Sequence, residues 1–332
     1  MFESAAILGT GSFGTAIAHL IGSRLPAVEM IGRDEAVVAA INRDRQNPRY
    51  LAGATLPAGV TATTGLAAAK KHPLVIFGVP TSATRAIAAE LAGLGLPPET
   101  VLLSCAKGIE RGTGDRMSVI LREELPDHPI AVLSGPNHAE EISQDLATCA
   151  VIGCEDEVIA ERLQQLFTAP HFRSYTSDDL AGIELGGAIK NVYAIAAGIA
   201  HGLGLGDNAI AALVTRALAE MTRLGTQLGG RIETFAGLSG VGDLIATCFS
   251  EHSRNHRVGT ALGQGKTLEE AVDSLGMVAE GVPNTLSIYE AARSCGARTP
   301  IIDAVHAILY QDMPAAKALR ELLNRDPRPE AE

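Results

Sequence analysis

Residues 184–191 read ELGGAIKN, and Lys190 falls inside a run, 182–204, that is otherwise almost wholly apolar. Ile183, Ala188, Ile189, Val192, Ile195, Ala196 and Ile199 recur at helical intervals and leave little polar face. A lysine there either runs its aliphatic stem out to water or is held where its ammonium takes part in chemistry. A second chemical signature opens the chain: Gly9-Thr10-Gly11-Ser12-Phe13-Gly14, or G-x-G-x-x-G, directly after the apolar run SAAILG. In a chain with 35 glycines the letters alone say little. The setting, after a strand and before a helix, is what a dinucleotide-binding turn requires. Gly9 and Gly11 permit a tight turn and close approach to a pyrophosphate, and Gly14 lets helix and strand pack. The helix then points its amino end at the anion.

The second strand ends at Gly32-Arg33-Asp34. A carboxylate at such a strand end binds the ribose hydroxyls of NAD, whereas an arginine accommodates the 2′-phosphate of NADP. Arg33 leans the reading towards NADP, and Asp34 keeps NAD open. The strand 74–79 ends in Pro80-Thr81-Ser82, a turn on the sheet edge where ligands of such folds lie, although helix capping alone would use the same letters.

The elements that must carry these groups follow from hydrophobic pattern. Runs 4–9, 28–32, 74–79, 101–106, 130–135, 147–153 and 172–176 read as buried strands, with helices predicted over 14–23, 34–44, 82–93 and 115–124. That alternation predicts a Rossmann-like, doubly wound, mostly parallel α/β domain over 1–178. From 179 to 332 strand signals nearly vanish. Helices are predicted over 179–203, 207–228, 234–248, 267–276, 283–295 and 301–310, giving an all-α second domain. The charged, proline-containing tail 326–332 should fray.

Composition narrows the class. A net charge of −11 argues against nucleic acid or an anionic membrane as the main partner. Five cysteines without a C-x-x-C pair suit a reduced cytoplasmic protein, and nine histidines show no metal-ligand spacing, so no metal is expected. Lys190, His201 and Asp207 interrupt the best candidate membrane span, and the acidic amino terminus is no signal peptide.

Five polar segments remain: SCAKGIE (104–110), LSGPNHAEE (133–141), ELGGAIKN (184–191), GLSGVGDLIAT (237–247) and SRNHR (253–257). With the glycine loop, NPRYLAG (47–53) and VAEG (278–281), their order and spacing resemble the bacterial-type NAD(P)-dependent sn-glycerol-3-phosphate dehydrogenases over nearly the whole chain. The resemblance implies reversible reduction of dihydroxyacetone phosphate, a phospholipid precursor role, and a cytoplasmic homodimer. Lys190 is then the proton donor for the developing alkoxide, its pKa brought down from ~10.4 by burial or neighbouring cations. Asp243, in a glycine-bordered turn, would hold that ammonium, with Thr247 one helical turn on. Lys107 matches the family's second lysine, in contact with substrate and cofactor. Ser253, Arg254 and Asn255 match its phosphate clamp, Arg254 also touching the cofactor. Gly135 and Ala139 match positions lining substrate and cofactor, and Val278 and Glu280 contacts near nicotinamide and ribose. Pro80, Arg33 and the loop residues Gly9, Gly11, Ser12, Phe13 and Gly14 complete the expected cofactor site.

Three positions depart from the family pattern: Ala52 for a proline, Asn137 for a small hydroxyl residue, and Pro283 for an arginine. None is a proposed catalytic group, but loss of a cation at 283 weakens the NADP inference. Two other readings stay open: a related two-domain dehydrogenase acting on another ketone or hydroxy acid, which would need no phosphate clamp, and a non-catalytic NAD(P)-binding sensor on the same fold.

Overall fold

Ten strands and fifteen α-helices make up the computed structural model, which describes residues 2–275, 279–324 and 329–330. The strands are β1 (Ser4–Leu8), β2 (Ala27–Ile31), β3 (Gln46–Asn47), β4 (Leu51–Thr55), β5 (Val60–Thr63), β6 (Leu74–Phe77), β7 (Val101–Ser104), β8 (Ile130–Ser134), β9 (Thr148–Cys154) and β10 (Phe172–Ser177). Eight of them form one sheet in the order β10-β9-β8-β7-β6-β1-β2-β5, and β3 with β4 form a separate hairpin. All pairings in the large sheet are parallel except β8 with β9. The chain winds from β1 outward to β5, then returns through β6 to β10 on the other side. Ligands of such sheets bind where the winding reverses, at the carboxyl ends of β1 and β6.

Helices α1 (Ser12–Gly22), α2 (Glu35–Asp44), α3 (Thr84–Leu94), α4 (Met117–Glu124), α5 (Ala139–Ile142) and α6 (Glu157–Phe167) accompany these strands. The central strands β1, β6 and β7 are buried almost throughout, which is why they read as continuous apolar runs. Among the described residues no strand follows Ser177. Instead come α7 (Leu180–Gly202), α8 (Asp207–Gln227), α9 (Ile232–Phe235), a π-helical turn (Leu238–Gly242), α10 (Asp243–Phe249), α11 (Arg254–Gly263), α12 (Leu268–Asp273), α13 (Gly281–Ser294), α14 (Pro300–Tyr310) and α15 (Ala315–Leu323). The predicted helix 234–248 is thus three pieces. Gly240 permits the break: a Cβ there would lie 2.1 Å from the Phe235 carbonyl oxygen, so this close turn needs a residue without a side chain. The hairpin, β5 and helices α5, α6, α11 and α15 were not expected from the hydrophobic pattern.

Helix α7 is the axis of the helical part. It meets α11 through glycines on both sides. A Cβ on Gly198 would fall 2.0 Å from the His256 carbonyl oxygen, and one on Gly259 would fall 2.1 Å from that of Ile195. Gly202 and Gly263 repeat the contact one turn on, so two backbones touch where side chains usually intervene. At the other end Glu184, 4% exposed, accepts from Arg116, from the Ser118 amide and from the Ser118 hydroxyl, pinning α7 to the start of α4. By length and composition Leu180–Gly202 could cross a membrane, but 94% of its apolar window is buried inside the protein. A second such stretch, Ile232–Phe249, is the broken segment around the π-helical turn.

The Gly259→Ala variant should lose about 1–3 kcal/mol of unfolding free energy, because even one methyl forces the two helices apart. Urea denaturation of the variant checks this through a lower midpoint at an unchanged slope.

Candidate active site

The glycine loop joins β1 to α1 at the sheet's winding reversal. Gly9 has φ +108°, and a Cβ on it would press 2.7 Å from the Gly78 carbonyl oxygen at the end of β6. Gly14 lies so close to Gly9 that a Cβ would sit 2.2 Å from its carbonyl oxygen, which draws α1 tightly onto the strand. Gly11 differs: nothing of the protein lies within 4 Å of the Cβ position, so the space beside it is open. No side chain caps the amino end of α1. An open cradle beside uncapped helical amides fits a pyrophosphate. Ser12 is nearly buried and turns its hydroxyl to the Tyr50 carbonyl oxygen at 2.9 Å, while Phe13 is half-buried. Arg33 is exposed on the bend after β2, and Pro80 is exposed after β6.

Lys190, Lys107 and Asp243 come together in one cluster. Lys190 projects from mid-α7 and is 4% exposed; its Nζ lies 2.9 Å from Asp243 Oδ1 and 2.5 Å from Thr247 Oγ1. Lys107, just past the end of β7, donates to the other Asp243 oxygen at 2.8 Å, to the Gly135 carbonyl at 2.8 Å and to Asn137 Oδ1 at 2.8 Å. One carboxylate, 1% exposed, therefore serves two ammoniums. Asp243 is the first residue of α10, immediately after the π-helical turn, and that turn lies on Gly186, where a Cβ would come 2.4 Å from the Ser239 carbonyl oxygen. Gly187 opposes the Ser134 hydroxyl at the end of β8, where a Cβ would come 2.7 Å from it. The GG pair of ELGGAIKN thus lets α7 press against both the π-helical turn and the sheet edge.

Burial and charge set the proton affinities. Burial above all, with Lys107 adding, brings Lys190 down to about 8 against the pull of Asp243. For Asp243 burial works upward, but the two lysines outweigh it and its carboxyl ends below the usual range. His138 is pushed down, first by burial and then by Lys190 and Lys107, so it adds no charge near neutrality.

The predicted clamp residues gather at the amino end of α11. Ser253 caps it, accepting from the His256 amide at 3.2 Å, and Arg254 is its first residue. Asn255 donates to Asn191 Oδ1 at 2.9 Å and accepts from the Gly281 amide at 2.9 Å. Asn191 in turn donates to the Lys107 carbonyl at 2.9 Å, tying the clamp to the two-lysine centre. Glu280 accepts from the Thr81 amide at 3.3 Å; burial raises its carboxyl, with Arg254 opposing. Ala139 opens α5, directly after the turn that supplies Gly135 and Asn137. Val278 lies outside the described residues. Ala52 and Pro283 are both exposed, Pro283 in the first turn of α13 where its missing N–H costs nothing. Asn191 and Asn284 were not singled out from the sequence. Asn284 accepts from the Ile109 amide and donates to the Ala188 carbonyl. The letters gave only adjacency to Lys190 and to the VAEG motif as a hint. Among the described residues no group of three or more His, Cys, Asp or Glu side chains could hold a metal ion.

A dinucleotide cradle on a doubly wound sheet, joined to a helical body that carries a buried lysine, is the plan of a nicotinamide-dependent dehydrogenase. Comparison with known proteins narrows the class. The family models for the N-terminus and the C-terminus of NAD-dependent glycerol-3-phosphate dehydrogenase match residues 4–160 and 179–320. The chain belongs to that family. It is 47% identical over 329 residues to the glycerol-3-phosphate dehydrogenase (NAD(P)+) of Thermobifida fusca, covering 98% of each chain. To the Clostridium perfringens enzyme of the same name it is 43% identical over 326 residues, again 98% of each. The crystal structure of glycerol-3-phosphate dehydrogenase from Coxiella burnetii superposes with a TM-score of 0.94 at 35% identity, covering 97% of this chain and 99% of that one.

Removing the shared carboxylate should be far more damaging than removing one ammonium. Asp243→Ala leaves the buried Lys190 ammonium beside the half-buried Lys107 with no counter-charge and should cost about 3–5 kcal/mol of stability, whereas Lys190→Met leaves Asp243 paired with Lys107 and should cost much less. Urea unfolding of the two variants side by side checks the order.

Proposed function

We propose that this chain catalyses the reversible reduction of dihydroxyacetone phosphate to sn-glycerol 3-phosphate, using NADPH in preference to NADH. The observation that carries the reading is a buried Lys190 held by Asp243 and Thr247, tied through Asn191 to a helix amino end bearing Ser253, Arg254 and Asn255. Family membership supports the substrate and the cofactor class. The glycine loop and the amino end of α1 would hold the cofactor's pyrophosphate, and the bound cofactor would supply the hydride for the ketone carbon. Lys190 gives its proton to the carbonyl oxygen as negative charge develops there, and Asp243 keeps the ammonium aimed. Lys107 faces the same oxygen-bearing region from the sheet and adds positive charge. The clamp at α11 holds the phosphate, Arg254 as a guanidinium fork beside the helix amides. Arg33, exposed at the end of β2, supports the NADPH preference.

The cofactor part then spans 1–178 and the substrate part 179–332. The same reading makes the protein a cytoplasmic homodimer that supplies backbone for glycerophospholipids, supported by the apolar helical part and by the family.

The rate of NADPH oxidation with dihydroxyacetone phosphate tests the assignment. Lys190→Ala should lower kcat by about 10²–10⁴ in protein that still binds cofactor. A variant turning over like wild type would falsify the lysine's role. The two directions should also respond oppositely to pH. Reduction needs Lys190 protonated, so its rate falls as pH rises through about 8, whereas oxidation needs the neutral amine and rises over the same interval.

A further inference from the structure

Asp34 stands where a carboxylate would accept the ribose hydroxyls of NAD. Both its oxygens are already engaged. Oδ1 accepts from the Ala36 and Val37 amides at 3.0 and 3.2 Å, capping α2, and Oδ2 pairs with Arg49. Arg49 reaches it from the β3–β4 hairpin, which is bound to the glycine loop itself. Asn47, fully buried, donates to the Thr10 carbonyl and to Thr15 Oγ1, both at 2.7 Å, and Ser12 donates to the Tyr50 carbonyl at 2.9 Å. Arg49 lies between these two anchors, so its backbone is fixed at the rim of the cradle while its side chain remains 62% exposed. Arg33 is exposed on the adjoining bend, one residue before Asp34. The rim therefore carries two guanidiniums and one neutralised carboxylate.

We propose that Arg49 is a specificity-determining residue for the cofactor. It holds the 2′-phosphate of NADP together with Arg33, and it occupies the carboxylate that NAD would otherwise use. The proposal rests on the NADPH preference argued above. An exposed ion pair is weak, so the guanidinium turns from Asp34 to a phosphate at small cost, and a phosphate offers it a charge-assisted, two-pronged contact. Lying between the two groups, its positive charge also screens the phosphate from Asp34, which would repel it.

Adenosine 2′,5′-bisphosphate and 5′-AMP, which differ only in the 2′-phosphate, test this by calorimetric titration. Wild type should bind the bisphosphate more tightly, and Arg49→Ala should weaken the bisphosphate about tenfold while shifting 5′-AMP less than about twofold. Arg49→Lys should recover part of the loss, since charge survives without the fork. Equal binding of both nucleotides by wild type overturns the NADPH preference and this proposal together. A wild-type preference that Arg33→Ala abolishes and Arg49→Ala leaves intact overturns this proposal alone. Equal weakening of both nucleotides by Arg49→Ala, the mark of a displaced hairpin, overturns it too.

Discussion

Two ammoniums share one buried carboxylate, and much of the structure serves that arrangement. Neither Lys190 nor Asp243 could stay charged in the interior alone, since desolvation would neutralise each. Together with Lys107 they form a centre of one negative and two positive groups, all hydrogen-bonded. The surplus cation is the useful part. It adds to burial, the larger influence, in lowering Lys190 without neutralising it, leaving an acid that can part with its proton near neutral pH.

Holding three charged groups to hydrogen-bond distances demands close backbone packing, which explains the distribution of glycine. Gly186 and Gly187 bring α7 against the π-helical turn and the sheet edge, and Gly198 and Gly202 bring it against α11. These contacts fix the heights of Lys190, Asp243 and the clamp relative to one another along a single helix. The asparagines complete the frame. Asn191, Asn255 and Asn284 spend their amides on backbone groups and on each other, so the side chains around the site are set by hydrogen bonds as well as by packing.

The sheet was legible because its strands are buried on both faces and read as unbroken apolar runs. The seven predicted strands correspond to β1, β2, β6, β7, β8, β9 and β10. Strand β5, VTAT, is short and half-polar, and the β3–β4 hairpin has only a two-residue first strand, so neither carries a periodic signal. Helix α11 hides behind its polar start, RNHR, because the residues that serve the site displace the apolar pattern of its first turn. Lys190 stood out as a polar letter in apolar surroundings, Lys107 and Asp243 came from the resemblance to the family, and the structure brings the three together. The engagement of Asp34 could not be read from letters. It depends on a hairpin folding back across 15 residues of sequence to place Arg49 beside it.

Lys107 belongs to the sheet, whereas Lys190 and Asp243 belong to the helices, so the ion triad is assembled across a seam. Helix α7 alone would present an ordinary lysine with an ordinary affinity for protons. Burial at the seam and the approach of Lys107 are the two influences that weaken that affinity, and both vanish if the halves part. Acid strength here is a property of closure: the group becomes a good proton donor only in the assembled geometry that also keeps bulk water, a rival source of protons, away from it.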